Sequence, residues 1–156
     1  MDTNVRKVEQ ADIATLKLVI DSSELFPSKM LDNMISSYFN DPQSQDIWLT
    51  RDDQSGKPVA IVFCAPEKMT DGTYNLYLIA VDGKQRGRGI GAELMGYLED
   101  KLNKDGVRVL IVETSGLPEF EQTRRFYAKL DYQQEAVIRD FYSEGEDKVV
   151  FWKKLN

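Results

Sequence analysis

The stretch YNLYLIAVDGKQRGRGIGAELMGYLEDKLNKDGVRVLIVE, Tyr74 to Glu113, decides the fold, because it reads as strand, loop, helix and returning strand. Tyr74 to Val81 is apolar on both faces, as expected of a strand in the middle of a sheet. Gln85 to Ala92 follows, with Gly87, Gly89 and Gly91 at alternate positions and Arg86 and Arg88 interleaved. The spacing predicts a helix over Ala92 to Lys104, with Ile90, Leu94, Leu98 and Leu102 four apart and a stop at Asn103 to Gly106. Val107 to Glu113 then reads as a second buried strand. Two strands joined through a helix lie parallel in one sheet, with a right-handed crossover.

The flanks extend this unit in both directions. Upstream, Val5 to Val8 reads as a short strand, and Asp12 is placed to cap a helix carrying Ile13, Leu16, Val19 and Ile20. Pro27-Ser28 opens a second amphipathic segment with Met30, Leu31, Met34, Ile35, Tyr38 and Phe39, stopped by Asn40-Asp41-Pro42. Ile47 to Thr50 and Val59 to Ala65 are strands about the polar turn Asp52 to Pro58, and Asp71-Gly72 turns the chain into Tyr74. Downstream, Pro118 begins a helix with Phe126, Tyr127 and Leu130. Tyr132 to Tyr142 and Lys148 to Lys154 form a closing strand pair about Ser143 to Asp147. The order β-α-α-β-β-β-α-β-α-β-β describes a mixed α/β fold. At 156 residues it is expected to be a single domain, 1–156, since domains commonly hold about 100–150 residues.

Composition removes several chemistries. The chain has no histidine, so Ser-His-Asp hydrolases, Cys-His proteases and His-ligated zinc enzymes cannot be built from it. No metal is expected. Proton transfer falls to carboxylates, tyrosines, lysines, water or the single thiol, Cys64. That thiol lies in the apolar run Ile61 to Ala65 and reads as core. The net charge of −6 argues against nucleic acid as a partner, because neutralising phosphates needs clustered Lys and Arg. No apolar run approaches the roughly 20 residues of a membrane span. Met1 to Gln10 carries no signal-peptide core, and a lone cysteine suits a reducing compartment, so a cytoplasmic location is expected.

The glycine-rich loop points to an anion. At a helix start several backbone N–H groups lack internal partners and the helix dipole is positive. Gly87, Gly89 and Gly91 let that backbone come close to a phosphate, and Arg86 and Arg88 add charge. A plain turn with solvated arginines would accumulate glycine entropy without return. Gly87-x-Gly89-x-x-Ala92 also matches a dinucleotide fingerprint, with Glu113 about 20 residues on. In that fold the glycines follow the strand almost directly, whereas here Asp82 to Arg86 intervene and only one βαβ unit is present. A Walker A loop fails for want of a Gly-Lys-Ser/Thr triplet.

Arg86-Gly87-Arg88-Gly89-Ile90-Gly91 resembles the Q/R-x-x-G-x-G/A signature of the GNAT superfamily of N-acetyltransferases, preceded as usual by an apolar strand end, Ile79-Ala80-Val81. Arg125 to Tyr132 resembles that family's second motif, F/L-Y-x-x-x-G-F/Y, and the element order fits along the whole chain. The resemblance implies a largely antiparallel central sheet flanked by helices and an acetyl-CoA-dependent N-acetyltransferase. Coenzyme A would lie along Ile79, Ala80 and Val81, with its pyrophosphate on Arg86, Gly87, Arg88, Gly89, Ile90, Gly91 and Ala92. A small-molecule or peptide amine would be the acceptor, and a homodimer is allowed. Tyr127 aligns with the tyrosine that assists thiolate departure. Relatives often place a glutamate base where this chain has Asn75, which leaves Glu113 as the nearest carboxylate. Tyr77 and Tyr142, with Asn75, are expected to line the acceptor site. Two further departures are Phe120, where relatives often carry an asparagine, and Asp131, where they carry a glycine. A non-catalytic CoA-binding sensor on the same scaffold is the competing reading.

Overall fold

Alternating apolar positions in the strands and 3–4 spacing in the helices dictate the architecture seen in a computed structural model, which describes residues 4–23 and 26–155. The strands are β1 (Val5–Lys7), β2 (Ile47–Asp52), β3 (Pro58–Pro66), β4 (Thr73–Val81), β5 (Val109–Ser115), β6 (Gln133–Ser143) and β7 (Glu146–Lys154). The helices are α1 (Ile13–Ser23), α2 (Leu31–Asn40), α3 (Ile90–Lys104) and α4 (Glu121–Lys129). The strands form a seven-stranded sheet in the order β1-β2-β3-β4-β5-β7-β6. Strands β4 and β5 run parallel, Thr73–Leu76 against Val109–Val112, so the expected crossover through α3 is present, and the sheet is otherwise largely antiparallel. The chain divides into two compact units: residues up to Ala65 with Leu78–Lys101, and Pro66–Tyr77 with residues from Leu102 onward.

In the first unit, α1 and α2 bury Leu16, Ile20, Leu31 and Ile35 against Trp48, Ile61, Phe63, Leu78 and Ala80. Trp48 stands opposite Phe63 in the β2–β3 ladder, and their rings stack 4.0 Å apart. Each such side chain contributes roughly 1.5–3 kcal/mol of burial. Cys64 is fully buried in β3, and burial pushes its thiol far up, so it is core as read. Leu94, Met95 and Leu98 of α3 are also sealed from solvent.

The Asp12 expectation needs correcting. Asp12 is not an N-cap but the last residue of a 3-10 turn, Gln10–Asp12, whose cap is Glu9. Its carboxylate accepts from the Glu9 amide (2.7 Å) and from the Arg6 guanidinium (2.8 and 2.9 Å). Those Arg6 hydrogen bonds hold the Asp12 carboxyl below its ordinary range against the cost of burial. Arg6 also reaches Asp52 at 2.7 Å, tying β1 to the end of β2.

In the second unit, β5 pairs with β7 from Val109↔Lys154 to Ser115↔Lys148, and β6 forms the sheet edge. Side chains alternate across a strand, so Glu113 and Lys148 share one face while Val112 and Phe151 share the other. The β6–β7 register breaks between Ile138 and Ser143, where Asp140 adopts a left-handed φ of 56°. Asp147 accepts the Asp140 amide and Asp140 accepts the Gly145 amide, both at 3.0 Å, which stabilises this bulge.

Candidate active site

Each unit carries part of the chemistry read from the sequence. In the first, β4 ends at Val81 and a 3-10 turn, Gly83–Gln85, leads into the loop. The Asp82 carboxylate caps that turn by accepting from the Lys84 amide at 3.1 Å. Ser22 receives the Gly83 amide at 3.0 Å, and Arg86 donates to the Ser23 carbonyl at 3.4 Å. The loop is therefore anchored to the end of α1 before it reaches the glycines.

Gly87 and Gly89 take φ values of 78° and 76°. A Cβ at either would meet nothing within 4 Å, so the protein needs glycine there for backbone conformation, not for space. The second left-handed turn starts α3 at Ile90, the first of the four-apart apolar positions and two residues before the expected Ala92. Glu93 makes the first helical bond, to the Gly89 carbonyl at 3.0 Å. Among the described residues, the amides from Arg86 to Ala92 have no partner in the protein, and Gly87, Arg88 and Gly89 are exposed. This backbone has the donors and the access that a phosphate requires. Glu93, a carboxylate in the first turn, is occupied by Arg51 at 3.2 Å. Beside the loop, a cavity of about 510 Å³ is lined by Arg51, Gln54, Ser55, Gln85 and Arg88 among others. Of the expected cofactor strand, Ala80 is buried, whereas Ile79 and Val81 are half-buried.

In the second unit, Asn75 is 2% exposed and its amide lies between two carboxylates. Nδ2 donates to Glu113 Oε1 at 2.8 Å and to Glu67 Oε1 at 2.9 Å. The Tyr77 hydroxyl donates to the same Glu67 oxygen at 3.0 Å. Lys148 forms an ion pair with Glu113 Oε2, and its ammonium lies 4.0 Å from the centre of the Phe141 ring. Tyr142 packs edge-on against Phe141, with centroids 5.1 Å apart. Its phenol is raised by burial first, then by the charges of Glu113 and Glu146. Asn75, Tyr77 and Glu113 are thus linked by hydrogen bonds through Glu67, and Tyr142 packs on Phe141, which carries the Lys148 ammonium over its ring.

Tyr127 lies apart from that group. It is 3% exposed on α4, edge-on to Tyr132 and Phe126, and tilted against Phe151, whose face of the sheet is opposite to that of Glu113. Among the described residues its hydroxyl has no hydrogen-bond partner in the protein. Burial drives the phenol well above the ordinary tyrosine range, so it stays protonated and can only donate.

Glu67, Lys148 and Phe141 escaped the sequence reading. Glu67 follows Pro66 in the turn between β3 and β4, and its amide donates to the Thr73 carbonyl at 2.8 Å. That hairpin pairing folds it back beside β4, and the eight-residue separation from Asn75 was the only available signal. Asp131 explains its own departure from glycine, since it holds φ 69° at the end of α4. Aspartate is among the few residues that tolerate this conformation. Among the described residues, no His, Cys, Asp or Glu group could hold a metal, and no helix is long and apolar enough to cross a membrane.

Comparison with known proteins agrees with this fold. The family model for an acetyltransferase (GNAT) domain matches residues 43–134, more than half of the chain. No curated protein matches the sequence. Among solved structures, one similar fold is a protein assigned to the GNAT acetyltransferases from Desulfovibrio desulfuricans, 24% identical over 99% of this chain and 100% of the other, with a TM-score of 0.92. Another is the ribosomal-protein-S18-alanine N-acetyltransferase of Escherichia coli, 19% identical over 99% and 95%, with a TM-score of 0.78. A third is an aminoglycoside 6'-N-acetyltransferase complexed with coenzyme A, 16% identical over 97% of each chain, with a TM-score of 0.77. With the family model spanning β2 to the start of β6, through both the glycine loop and Tyr127, the chain belongs to the GNAT family of acetyltransferases.

Proposed function

We propose that this chain, acting as one N-acetyltransferase domain, moves an acetyl group from acetyl-CoA to a primary amine by direct attack in a ternary complex. The observation that carries this reading is the run of unpartnered amides from Arg86 to Ala92, exposed over Arg86 to Gly89. Those amides take the cofactor's diphosphate, with Arg86 and Arg88 adding charge. Ile79 to Val81 offer backbone groups to the pantetheine, and one amide there holds the oxyanion, a contact worth roughly 2.7–4 kcal/mol.

The acceptor arrives as an ammonium, and freeing an amine of pKa about 9 at pH 7 costs roughly 2.7 kcal/mol. Glu113 takes that proton through water, since Tyr127 packs against the opposite face of the sheet. The nitrogen then bonds to the thioester carbon, the C–S bond breaks, and Tyr127 donates to the departing sulfur. The phenol gives the sulfur a hydrogen bond and keeps its own proton, the second proton lost by nitrogen passes through solvent to the thiolate, and the cycle releases one proton. No side chain forms a covalent intermediate, because no activated nucleophile is present. Asn75, Tyr77 and Tyr142 line the acceptor site.

Support for the cofactor comes from the relative that carries coenzyme A, and for an amine acceptor from relatives named for a protein alanine and for aminoglycosides. The test is thiol release from acetyl-CoA against a panel of amines, alongside thermal protection by CoA and by NAD(H). Acetylated product with CoA protection is expected. Tight CoA binding without turnover on any acceptor would assign the chain a sensing role instead, and protection by NAD(H) alone would overturn the cofactor.

A further inference from the structure

Asn75 presents a problem that the fold alone does not solve. Its side chain is almost fully buried, and Oδ1 has no hydrogen-bond partner. Flipping the amide would not help, because oxygen would then face the two carboxylates that now receive both Nδ2 hydrogens. Leaving a buried acceptor unsatisfied destabilises a protein, and an aliphatic side chain of the same shape avoids that penalty. What the asparagine does provide is a fixed bridge between Glu67 and Glu113.

The two carboxylates differ in charge compensation. Glu113 is neutralised by Lys148, whose side chain is only 13% exposed. Glu67 accepts from Asn75 and from the Tyr77 hydroxyl, both neutral, and among the described residues no cation pairs with it. The group of Glu67, Glu113 and Lys148 therefore carries one net negative charge, centred on Glu67. Tyr77 and Phe141, about half exposed, present ring surface around it.

Resting on the acetyl-transfer reading above, we propose that Glu67 is the residue that docks the acceptor's ammonium, with Asn75 as the positioning residue that holds it beside Glu113. One uncompensated carboxylate calls for one ammonium. The favoured acceptor is therefore a cationic primary amine with no carboxylate on the neighbouring carbon, since such a group would face Glu67 and Glu113. A free α-amino acid is disfavoured, and an amide-blocked one or a simple alkylamine is favoured.

The full-length chain with bound CoA would be titrated calorimetrically with an amino-acid amide, its parent free amino acid and a simple alkylamine, and acetyl transfer measured in parallel. Glu67→Gln should weaken binding of the amide and the alkylamine, and raise their KM, at least tenfold, with the KM for acetyl-CoA unchanged and partial recovery in Glu67→Asp. Asn75→Leu should weaken amine binding and raise the amine KM several-fold with the KM for acetyl-CoA unchanged, an outcome that a purely structural asparagine would not give. Preference for the free amino acid, undiminished amine binding after Glu67→Gln, or no binding by the wild type overturns the proposal. Glu67-dependent binding without any turnover would instead defeat the acetyl-transfer reading and leave the docking role intact.

Discussion

The loop from Arg86 to Ala92 and the cluster around Asn75 are opposite solutions to holding a charge. The loop offers hydrogen-bond donors of the main chain, freed by two left-handed glycines, and these suit an anion. The cluster offers side-chain acceptors, two carboxylates fixed by one amide, and carries a net charge suited to a cation. A main-chain site tolerates loss of its side chains but not of its backbone conformation. A side-chain site fails when a single functional group goes.

Several variants would break or sharpen that contrast. Gly89→Glu has the largest expected effect: it puts a carboxylate beside the freed amides and adds left-handed strain of about 1–2 kcal/mol. Calorimetry should find no measurable CoA binding. Tyr127→Phe comes next, with turnover down about a hundredfold, within the usual range for a lost hydrogen-bond donor, and the KM for acetyl-CoA nearly unchanged. Because burial raises this phenol, the native state keeps the proton above pH 10 while the unfolded chain releases it. Stability that is complete below pH 10 is lost as pH climbs, and the phenylalanine variant should lose it less steeply. An unchanged rate would remove Tyr127 from the chemistry.

Arg88→Ala tests the main-chain claim from the other side. Arg88 is exposed and donates to Gln85 at 3.2 Å, so its loss should weaken CoA by no more than about fivefold, ~1 kcal/mol. A loss comparable to that of Gly89→Glu would make the site a side-chain one after all. Asp131→Gly has the smallest expected effect and touches neither region: it relieves the 69° φ after α4 and should stabilise the fold by roughly 1 kcal/mol in chemical denaturation, with kinetics unaltered.

Most strands and helices were legible because their apolar spacing is local. The misreadings fell at boundaries, where the competing groups are distant or conformational. Asp12 completes a capping box with Glu9 and binds Arg6 instead of being the N-cap itself, and α3 begins at Ile90, directly after the left-handed Gly89, two residues before the expected Ala92. In the candidate site, Tyr127 was visible through a motif and Glu113 only as the nearest carboxylate to Asn75, whereas Glu67 and Lys148 were not visible at all.

By itself the sequence determined the anion loop, since its glycines, arginines and helix start are neighbours along the chain and the geometry that frees their amides is set by local φ values. It also excluded imidazole chemistry outright. Only the tertiary structure decided which carboxylate is neutralised and which is left charged. That depends on a β-hairpin folding Glu67 back beside β4 and on the β5–β7 register bringing Lys148 to Glu113, and pairings over 8 and 35 residues leave no periodic trace in a chain.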